Sequence, residues 1–374
     1  MIAIATQNID SIAETYVRQH IRMIAPGETV VIFFQGEGQS IKSEYSLRIK
    51  RDISLPVMFR KISSLWRTLT TGYSGSLTVK EEKRVLQFLR DHRVKTVFAE
   101  FGPTGCALRR LCVREGIKLV VNFHGYDATV MPKRMLIRWA YSKLSKSADS
   151  FICGSLHFAK RLEAIGFPSD KIHVVPCGIE VNEFSSDTMK DPNLVVAVGR
   201  LTEKKAPYLS IEAFAMVRKT WPTVRLEIIG DGPLSRFCKQ RVVELGLSDC
   251  VTLHGARDHN FVKEKLARAI VFVQHSITAL NGDTESQGIS LLEAMASGVP
   301  VVSTVHNGFS ETVLEGETGY LVEEGDVFGM SRKVTELLQD PALRRHMGRQ
   351  GRARVINHFT AEKMAEKLRD ILLN

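Results

Sequence analysis

The sequence predicts an α/β protein of two doubly wound domains, each a parallel sheet wrapped by helices. Three observations carry this. Short apolar, β-branched runs alternate with amphipathic helical runs along nearly the whole chain. That alternation breaks once, in a polar run from Gly178 to Asn193, and then restarts at Leu194. The length, 374 residues, suits two cores better than one.

The elements follow in order. Met1–Ala5 reads as a first strand, and Ser11 with Glu14 three residues later fits a capping box opening a helix. Thr29–Phe34 is a strand and Lys80–His92 an amphipathic helix. Val94–Ala99 is a strand, Glu100–Gly105 a turn-rich loop, and Cys106–Glu115 a helix. Lys118–Asn122 is a strand that ends in His124-Gly-Tyr-Asp127. A His and an Asp at the carboxyl end of a parallel strand lie where open α/β sheets bind ligands. Pro132–Ser147 is a helix, Ser150–Cys153 a strand, Ser155–Ile165 a helix and Ile172–Pro176 a strand.

After the restart, the strand Val195–Val198 runs into Gly199-Arg200 and Lys204-Lys205, before the helix Tyr208–Lys219. A Gly, an Arg and a Lys at a strand-to-helix turn suit a diphosphate clamp, because Arg offers a planar fork and Lys a point charge. Arg225–Ile229 is a strand ending in Gly230-Asp-Gly232-Pro, and Val251–Leu253 a strand ending in His254-Gly-Ala-Arg257, read as lining a nucleobase pocket. Helices are expected at Leu234–Leu245 and Phe261–Ala269, and a strand at Val271–His275. Glu285-Ser286-Gln287-Gly288 is a glycine-bearing turn, and Ile289–Ala296 a helix carrying Glu293. Ser297-Gly-Val-Pro300 stops that helix, and Val299–Ser303 reads as a buried strand. A further strand lies within 316–322, and three helical segments, 327–338, 341–355 and 360–373, close the chain.

Charge is unevenly placed. Residues 1–180 hold 27 Lys and Arg against 16 Asp and Glu, a net +11, whereas 181–374 hold 24 against 25, a net −1. A basic half implies an anionic surface or substrate. Between Ile41 and Leu69 the bases Lys42, Arg48, Lys50, Arg51, Arg60, Lys61 and Arg67 interleave with Met58, Phe59, Ile62, Leu65 and Trp66. Such a stretch suits an anionic membrane surface. No run of eighteen apolar residues is present, and Met1–Thr6 is too short and lacks the bases of a secretory leader. Six cysteines without CxxC spacing read as reduced thiols, so a cytoplasmic protein is expected, peripheral at the inner face of the plasma membrane. No Walker lysine motif, nucleophile elbow, metal-ligand cluster or Asp-x-Asp pair occurs, so no metal and no cofactor are expected. Two classes stay open on these residues: an enzyme with a diphosphate-binding site, and a basic membrane- or nucleic-acid-binding protein without catalysis.

Gly199-Arg200 with Lys205, Gly230-Asp-Gly232-Pro, and Glu285-x7-Glu293 followed by Ala-Met-Ala-Ser-Gly-x-Pro-Val-Val302 together resemble the retaining family 4 glycosyltransferases of GT-B fold. The resemblance is strong over about 190–325 and weaker before it, where His124-Gly-Tyr-Asp127 is the best point. It implies two Rossmann-like domains facing across a cleft: an acceptor-binding domain over 1–185, to which the last helix returns, and a donor-binding domain over 190–358. It implies that Arg200 and Lys205 hold the donor diphosphate, Glu285 contacts the donor sugar and Glu293 the ribose hydroxyls. The backbone of Ser286, Gln287, Gly288 and Ile289 would cradle sugar and phosphate, and His124 would stand near the reaction centre. The co-substrate is then a nucleoside diphosphate sugar, UDP before GDP, and the acceptor a saccharide or lipid-linked saccharide, with no nucleic acid partner. Many members carry a Gly-Gly loop after the first strand. Here Asn8 to Tyr16 replaces it and is similar to a Ser-Glu-Thr-Phe stretch of members that build bacterial exopolysaccharide and lipopolysaccharide. Glu14, with Asp127, is accordingly expected on the acceptor side.

Overall fold

Alternating residues on the inner strands serve two different cores, and this explains why those strands read as continuous apolar runs. A computed structural model describes residues 1–10, 15–38, 45–50 and 57–374. The chain divides into two units, one of residues 1–176 with 362–374, the other of residues 177–361.

The first unit holds seven parallel strands: β1 (Ile2–Asn8), β2 (Thr29–Gln35), β3 (Ser46–Arg48), β4 (Thr96–Glu100), β5 (Lys118–Phe123), β6 (Ser150–Cys153) and β7 (Ile172–Val174), in the order β3-β2-β1-β4-β5-β6-β7. On β1, Ala3 and Ala5 face one core with Val97 and Val121, while Ile2 and Ile4 face another with Phe98, Val120 and Ile152. The strand period of two sorts them, and each buried Val or Ile contributes about 1.5–3 kcal/mol. The second core is completed by Met364, Leu368 and Leu372 of the last helix, Ala361–Leu373. Its final turn is held by Thr96 Oγ1 on the Leu372 carbonyl at 3.0 Å and Lys118 Nζ on the Ile371 carbonyl at 2.7 Å. A lysine there satisfies an orphan carbonyl and complements the helix dipole.

The second unit holds six parallel strands: β8 (Leu194–Val198), β9 (Arg225–Ile229), β10 (Val251–Leu253), β11 (Val271–Val273), β12 (Val301–Thr304) and β13 (Gly319–Val322), ordered β10-β9-β8-β11-β12-β13. Here too Val195 serves one face, and Leu194 and Val196 the other. The polar run after Gly178 is part of this unit, with Ile179, Val181 and Phe184 buried in its core. In both sheets strand order reverses beside the first strand, between β1 and β4 and between β8 and β11. Loops leaving those strand ends form the crevice in which such folds bind ligands.

The elements differ from expectation mainly at their ends. The helix Ile289–Ala296 has the expected bounds. The segment expected as a loop, Glu100–Gly105, instead enters a helix at Gly102 that runs to Glu115. Pro103 sits in the first turn, where its missing N–H is harmless, and Gly102 and Gly105 pack where a Cβ would meet Tyr141 and Val121. The strand expected at Val299–Ser303 pairs only from Val301. Ser11 and Glu14, with Lys42 and Arg51 of the basic stretch, lie outside the described residues. Among the described residues no helix is long and apolar enough to cross a membrane.

Candidate functional site

The loops after β8 and β9 lie against one another through glycines. Gly199 N donates to the Ile229 carbonyl at 2.9 Å, and Leu201 N to the Asp231 carbonyl at 3.0 Å. A Cβ on Gly230 would stand 2.0 Å from the Gly199 oxygen, and one on Gly232 2.6 Å from the Leu201 oxygen. Only glycine permits that approach. The loop then turns through Glu203–Lys205, and Ala206, with φ +32°, leads into the helix Pro207–Thr220.

Lys204 and Lys205 converge on one carboxylate. Lys204 Nζ lies 3.3 Å from Glu285 Oε1, and Lys205 Nζ 3.3 Å from Glu285 Oε2. Lys204 also reaches Asp283 Oδ1 and the Thr284 carbonyl, each at 3.3 Å. Lys205 reaches Gln274 Oε1 at 3.4 Å, an atom that also accepts from Ser290 Oγ at 2.7 Å. Burial would raise the Glu285 carboxyl, but Lys205 and Lys204 hold it down at about 2. The carboxylate is therefore ionised at any physiological pH.

Glu285 is fixed from behind. Its N–H donates to His306 Nε2 at 3.0 Å, and its carbonyl accepts from Asn307 Nδ2 at 2.6 Å. His306 Nδ1 faces Glu324 Oε1 at 2.5 Å, so the ring carries its proton there and accepts at Nε2. Three residues on, Gly288 has φ +75°, and a Cβ there would meet the Phe309 ring at 2.7 Å. The helix Ile289–Ala296 starts at once, so its first turn, with its unpaired backbone N–H groups, directly follows the loop that carries Glu285.

Glu293 stands in the second turn of that helix, its side chain 13% exposed. Burial raises its carboxyl to about 7 against the weaker pull of Lys205. The two glutamates thus differ sharply: one is a fixed anion, the other changes charge near neutrality. The Gln287 side chain is tied to the Cys177 backbone, accepting its N–H at 2.7 Å and donating to its carbonyl at 3.3 Å. Gly199, Arg200, Lys205, Ser210, Val273 and Gln274 line a small pocket at the β8–β11 reversal. Arg200 is exposed at its rim, and Arg257 is exposed beyond β10 with its guanidinium 5.3 Å from the Phe261 ring. Arg200, Lys204 and Lys205 share the loop with Glu203 and face Glu285 and Asp283, so the charges balance in number, and what suits an anion is the placement of Arg200 and Lys205 on the pocket lining.

In the first unit, His124 is held from several sides. Its ring Nε2 lies 2.9 Å from Glu100 Oε2, and its N–H donates to Asp127 Oδ1 at 2.9 Å. Asp127, expected on the acceptor side, is 2% exposed, and its other oxygen accepts from Gly102 N at 2.9 Å. It braces the loop. Glu14 lies outside the described residues.

Sequence reasoning quotes Lys204 without giving it a task of its own, and passes over Gln274, His306 and Glu324 here and Glu100 in the first unit. For Lys204 the signal is its adjacency to Lys205; the others are isolated polar residues whose partners lie far along the chain.

The chain matches the family description "Glycosyltransferase Family 4" over residues 13–183 and "Glycosyl transferases group 1" over 179–354. It is similar to the Erwinia amylovora amylovoran biosynthesis glycosyltransferase AmsK, 32% identical over 281 residues that cover 74% of this chain and 68% of that protein. It is similar also to WcaL of Salmonella typhimurium, named for colanic acid biosynthesis, 35% identical over 246 residues. That alignment takes in 64% of this chain and spans only 60% of the relative's length. Its fold matches that of Anabaena Alr3699/HepE, solved in complex with UDP, with TM-score 0.80, 17% identity and coverage of 100% and 99% of the two chains.

Proposed function

Because the chain belongs to the family 4, group 1 glycosyltransferases and has their GT-B fold, we propose that it moves a sugar from a nucleoside diphosphate sugar to a hydroxyl of a saccharide or lipid-linked saccharide. The setting is exopolysaccharide or cell-envelope synthesis, as the names of AmsK and WcaL suggest for those proteins. The observation that carries this is the Lys204–Glu285–Lys205 cluster, 3.3 Å on each side, at the sheet's topological reversal. The Lys205 ammonium, held in place by this cluster beside an exposed Arg200, suits a diphosphate. The UDP bound to Anabaena HepE supports UDP as the nucleotide.

In this reading the transition state is oxocarbenium-like, and negative charge grows on the leaving diphosphate. Arg200, Lys205 and the first turn of the helix Ile289–Ala296 stabilise that charge without a divalent metal. Glu285 grips the donor sugar and Glu293 the ribose hydroxyls; neither acts as acid or base. The leaving diphosphate takes the acceptor proton, and the anomeric configuration is retained.

The test is a panel of UDP- and GDP-sugars, with and without lipid-linked saccharide acceptors, read by released nucleotide and by NMR of the product anomer. Nucleotide release that requires acceptor, persists in EDTA and gives the retained anomer supports the reading in full. A sugar isomer without transfer makes the protein an epimerase. Release by no donor in the panel sinks the transferase reading.

A further inference from the structure

Glu100 ends β4 with its side chain wholly buried, yet it meets three donors. Oε1 faces His20 Nδ1 at 2.5 Å. Oε2 faces His124 Nε2 at 2.9 Å and accepts from Asn122 Nδ2 at 3.0 Å. Burial would raise this carboxyl, but His20 and His124 bring it down to about 2. A carboxylate only accepts hydrogen bonds, so each imidazole must present an N–H to it. His20 then carries its proton on Nδ1, and His124 on Nε2. Any second proton on His124 goes to Nδ1.

The backbone around this group is arranged to hold it. Phe101, next in the chain, has φ +73°, a conformation that costs an aromatic residue about 1–3 kcal/mol. It brings the Phe101 ring to 4.6 Å from His124, and Tyr16 stands at 4.4 Å. Asp127, buried beside them, fixes the His124 N–H and the start of the helix at Gly102.

We propose that Glu100 is the positioning residue for His124, and that His20, Glu100 and His124 form one proton-linked group that fixes the tautomer and ring orientation of His124. This deepens the transferase reading and, in its kinetic part, rests on it. Buried acidic partners commonly set the tautomer and basicity of a functional histidine. The titratable side chains packed around His124 include Tyr16 on its ring face, Glu100 at its Nε2 and Asp127 at its backbone, with His20 beyond Glu100.

The experiment uses the full-length protein and long-range proton–nitrogen NMR of its histidines, with Glu100→Gln as the first variant. Wild-type His124 is expected as the Nε2–H tautomer. In E100Q its titration midpoint falls by roughly one to three pH units, because an opposite charge is removed from its side. The acidic limb of the kcat–pH profile moves the same way, while KM for the donor stays within about twofold, since ground-state binding is untouched. If E100Q does not fold, His20→Leu reads the same linkage with the opposite sign: Glu100 is then shared by fewer partners, and the His124 midpoint rises. An unmoved His124 midpoint in a folded variant overturns the linkage. A moved midpoint with unchanged kcat–pH profile overturns the positioning role. If the wild type turns over no donor, the transferase reading and the kinetic claim both fall, and the spectra still decide the linkage.

Discussion

Lys205 Nζ stands 3.3 Å from Glu285 Oε2 and 3.4 Å from Gln274 Oε1, so its charge is shared between a carboxylate and an amide rather than locked to either. Lys204 is tied more fully, to Asp283, the Thr284 carbonyl and Glu285. The two neighbours therefore have different tasks. In the proposed reading Lys205 turns to a phosphate, whereas Lys204 holds the loop that carries Glu285. Lys205→Ala and Arg200→Ala are expected to lower donor turnover by about 10²-fold or more, the usual effect of losing one preorganised charge donor. Lys204→Ala should lower the thermal midpoint as well as activity. Near-normal turnover in both K205A and R200A would remove the clamp assignment.

Acid stability follows from the same cluster. The folded Glu285 carboxyl lies at about 2, below its ordinary 4.5, so the folded state favours the ionised form. The associated stability is present above about pH 4.5 and is lost as pH falls through about 2. A depression of that size corresponds to about 3 kcal/mol of stability at neutral pH. Urea unfolding between pH 6 and 2 should show a steep acid loss that is smaller in Glu285→Gln. An identical acid profile in the two proteins would show that the lysines do not hold this carboxylate.

Glu293 has the opposite sign. Its folded carboxyl is raised to about 7 by burial, so it is mostly protonated below that pH and ionised above it. A carboxylate accepts hydroxyls better than its acid does. If it holds the ribose, UDP affinity should rise about tenfold from pH 6 to 8, as linkage to one proton near 7 requires. In Glu293→Gln that slope should vanish. Ionising a group whose folded value is raised costs stability as pH climbs from about 4.5 to 7, so E293Q should also unfold later than wild type at pH 8. Isothermal titration at three pH values checks the first claim, and a flat wild-type profile contradicts it.

Some of this is legible in the chain and some is not, for physical reasons. The helix Ile289–Ala296 is readable at both ends because Gly288 and Ser297-Gly-Val-Pro300 punctuate it locally. That Gly199, Arg200 and Lys205 come together on one small pocket is readable because they share one loop. The helix starting at Gly102 escapes sequence reasoning because Gly and Pro signal turns equally well, and only packing against Tyr141 and Val121 decides between them. Gln274, His306 and Glu100 have partners 69, 18 and 80 residues away, and no spacing rule announces a contact made by tertiary structure. Asp127 looks like a ligand group because strand ends bind ligands; its burial shows that strand ends also need braces.

Two glycines of the second unit separate steric need from conformational need. Gly230 has φ +139°, and a Cβ there would stand 2.0 Å from the Gly199 oxygen, which is backbone and cannot rotate away. Gly246 follows the helix Ser235–Glu244 with φ +66° and nothing within 4 Å of its Cβ position. Gly246→Ala is expected to cost about 1 kcal/mol, the ordinary left-handed penalty. Gly230→Ala should cost more, about 2–3 kcal/mol or above, and should weaken UDP binding because it pushes the Gly199–Arg200 loop. Thermal and denaturant unfolding rank the two. Equal costs would mean that the two loops are not in contact as described.

The first unit leaves an apolar helix face exposed amid bases. On the helix Val57–Thr71, Met58, Ile62, Leu65, Trp66 and Leu69 are each 57–67% exposed, and their spacing of three to four places them on one side. Residues 53–80 contain no Asp or Glu. On the helix Met135–Ser147, Met135, Leu136 and Trp139 are also exposed, and Lys143 Nζ lies 4.0 Å over the Trp139 ring. The Cβ position of Gly72 falls 2.6 Å from Lys143 Cδ, so the two helices adjoin there. A lipid-linked acceptor would be presented where such a face can insert among anionic headgroups. Fully burying one such side chain contributes about 1.5–3 kcal/mol, so Trp66→Glu with Leu69→Glu should weaken binding to phosphatidylglycerol-containing liposomes at least tenfold. Raising salt should weaken wild-type binding further, by screening the bases. Co-sedimentation with anionic and with neutral phosphatidylcholine vesicles measures both effects. Wild-type binding equal on the two vesicle types, or unchanged in the double variant, would assign that face to something other than an anionic membrane.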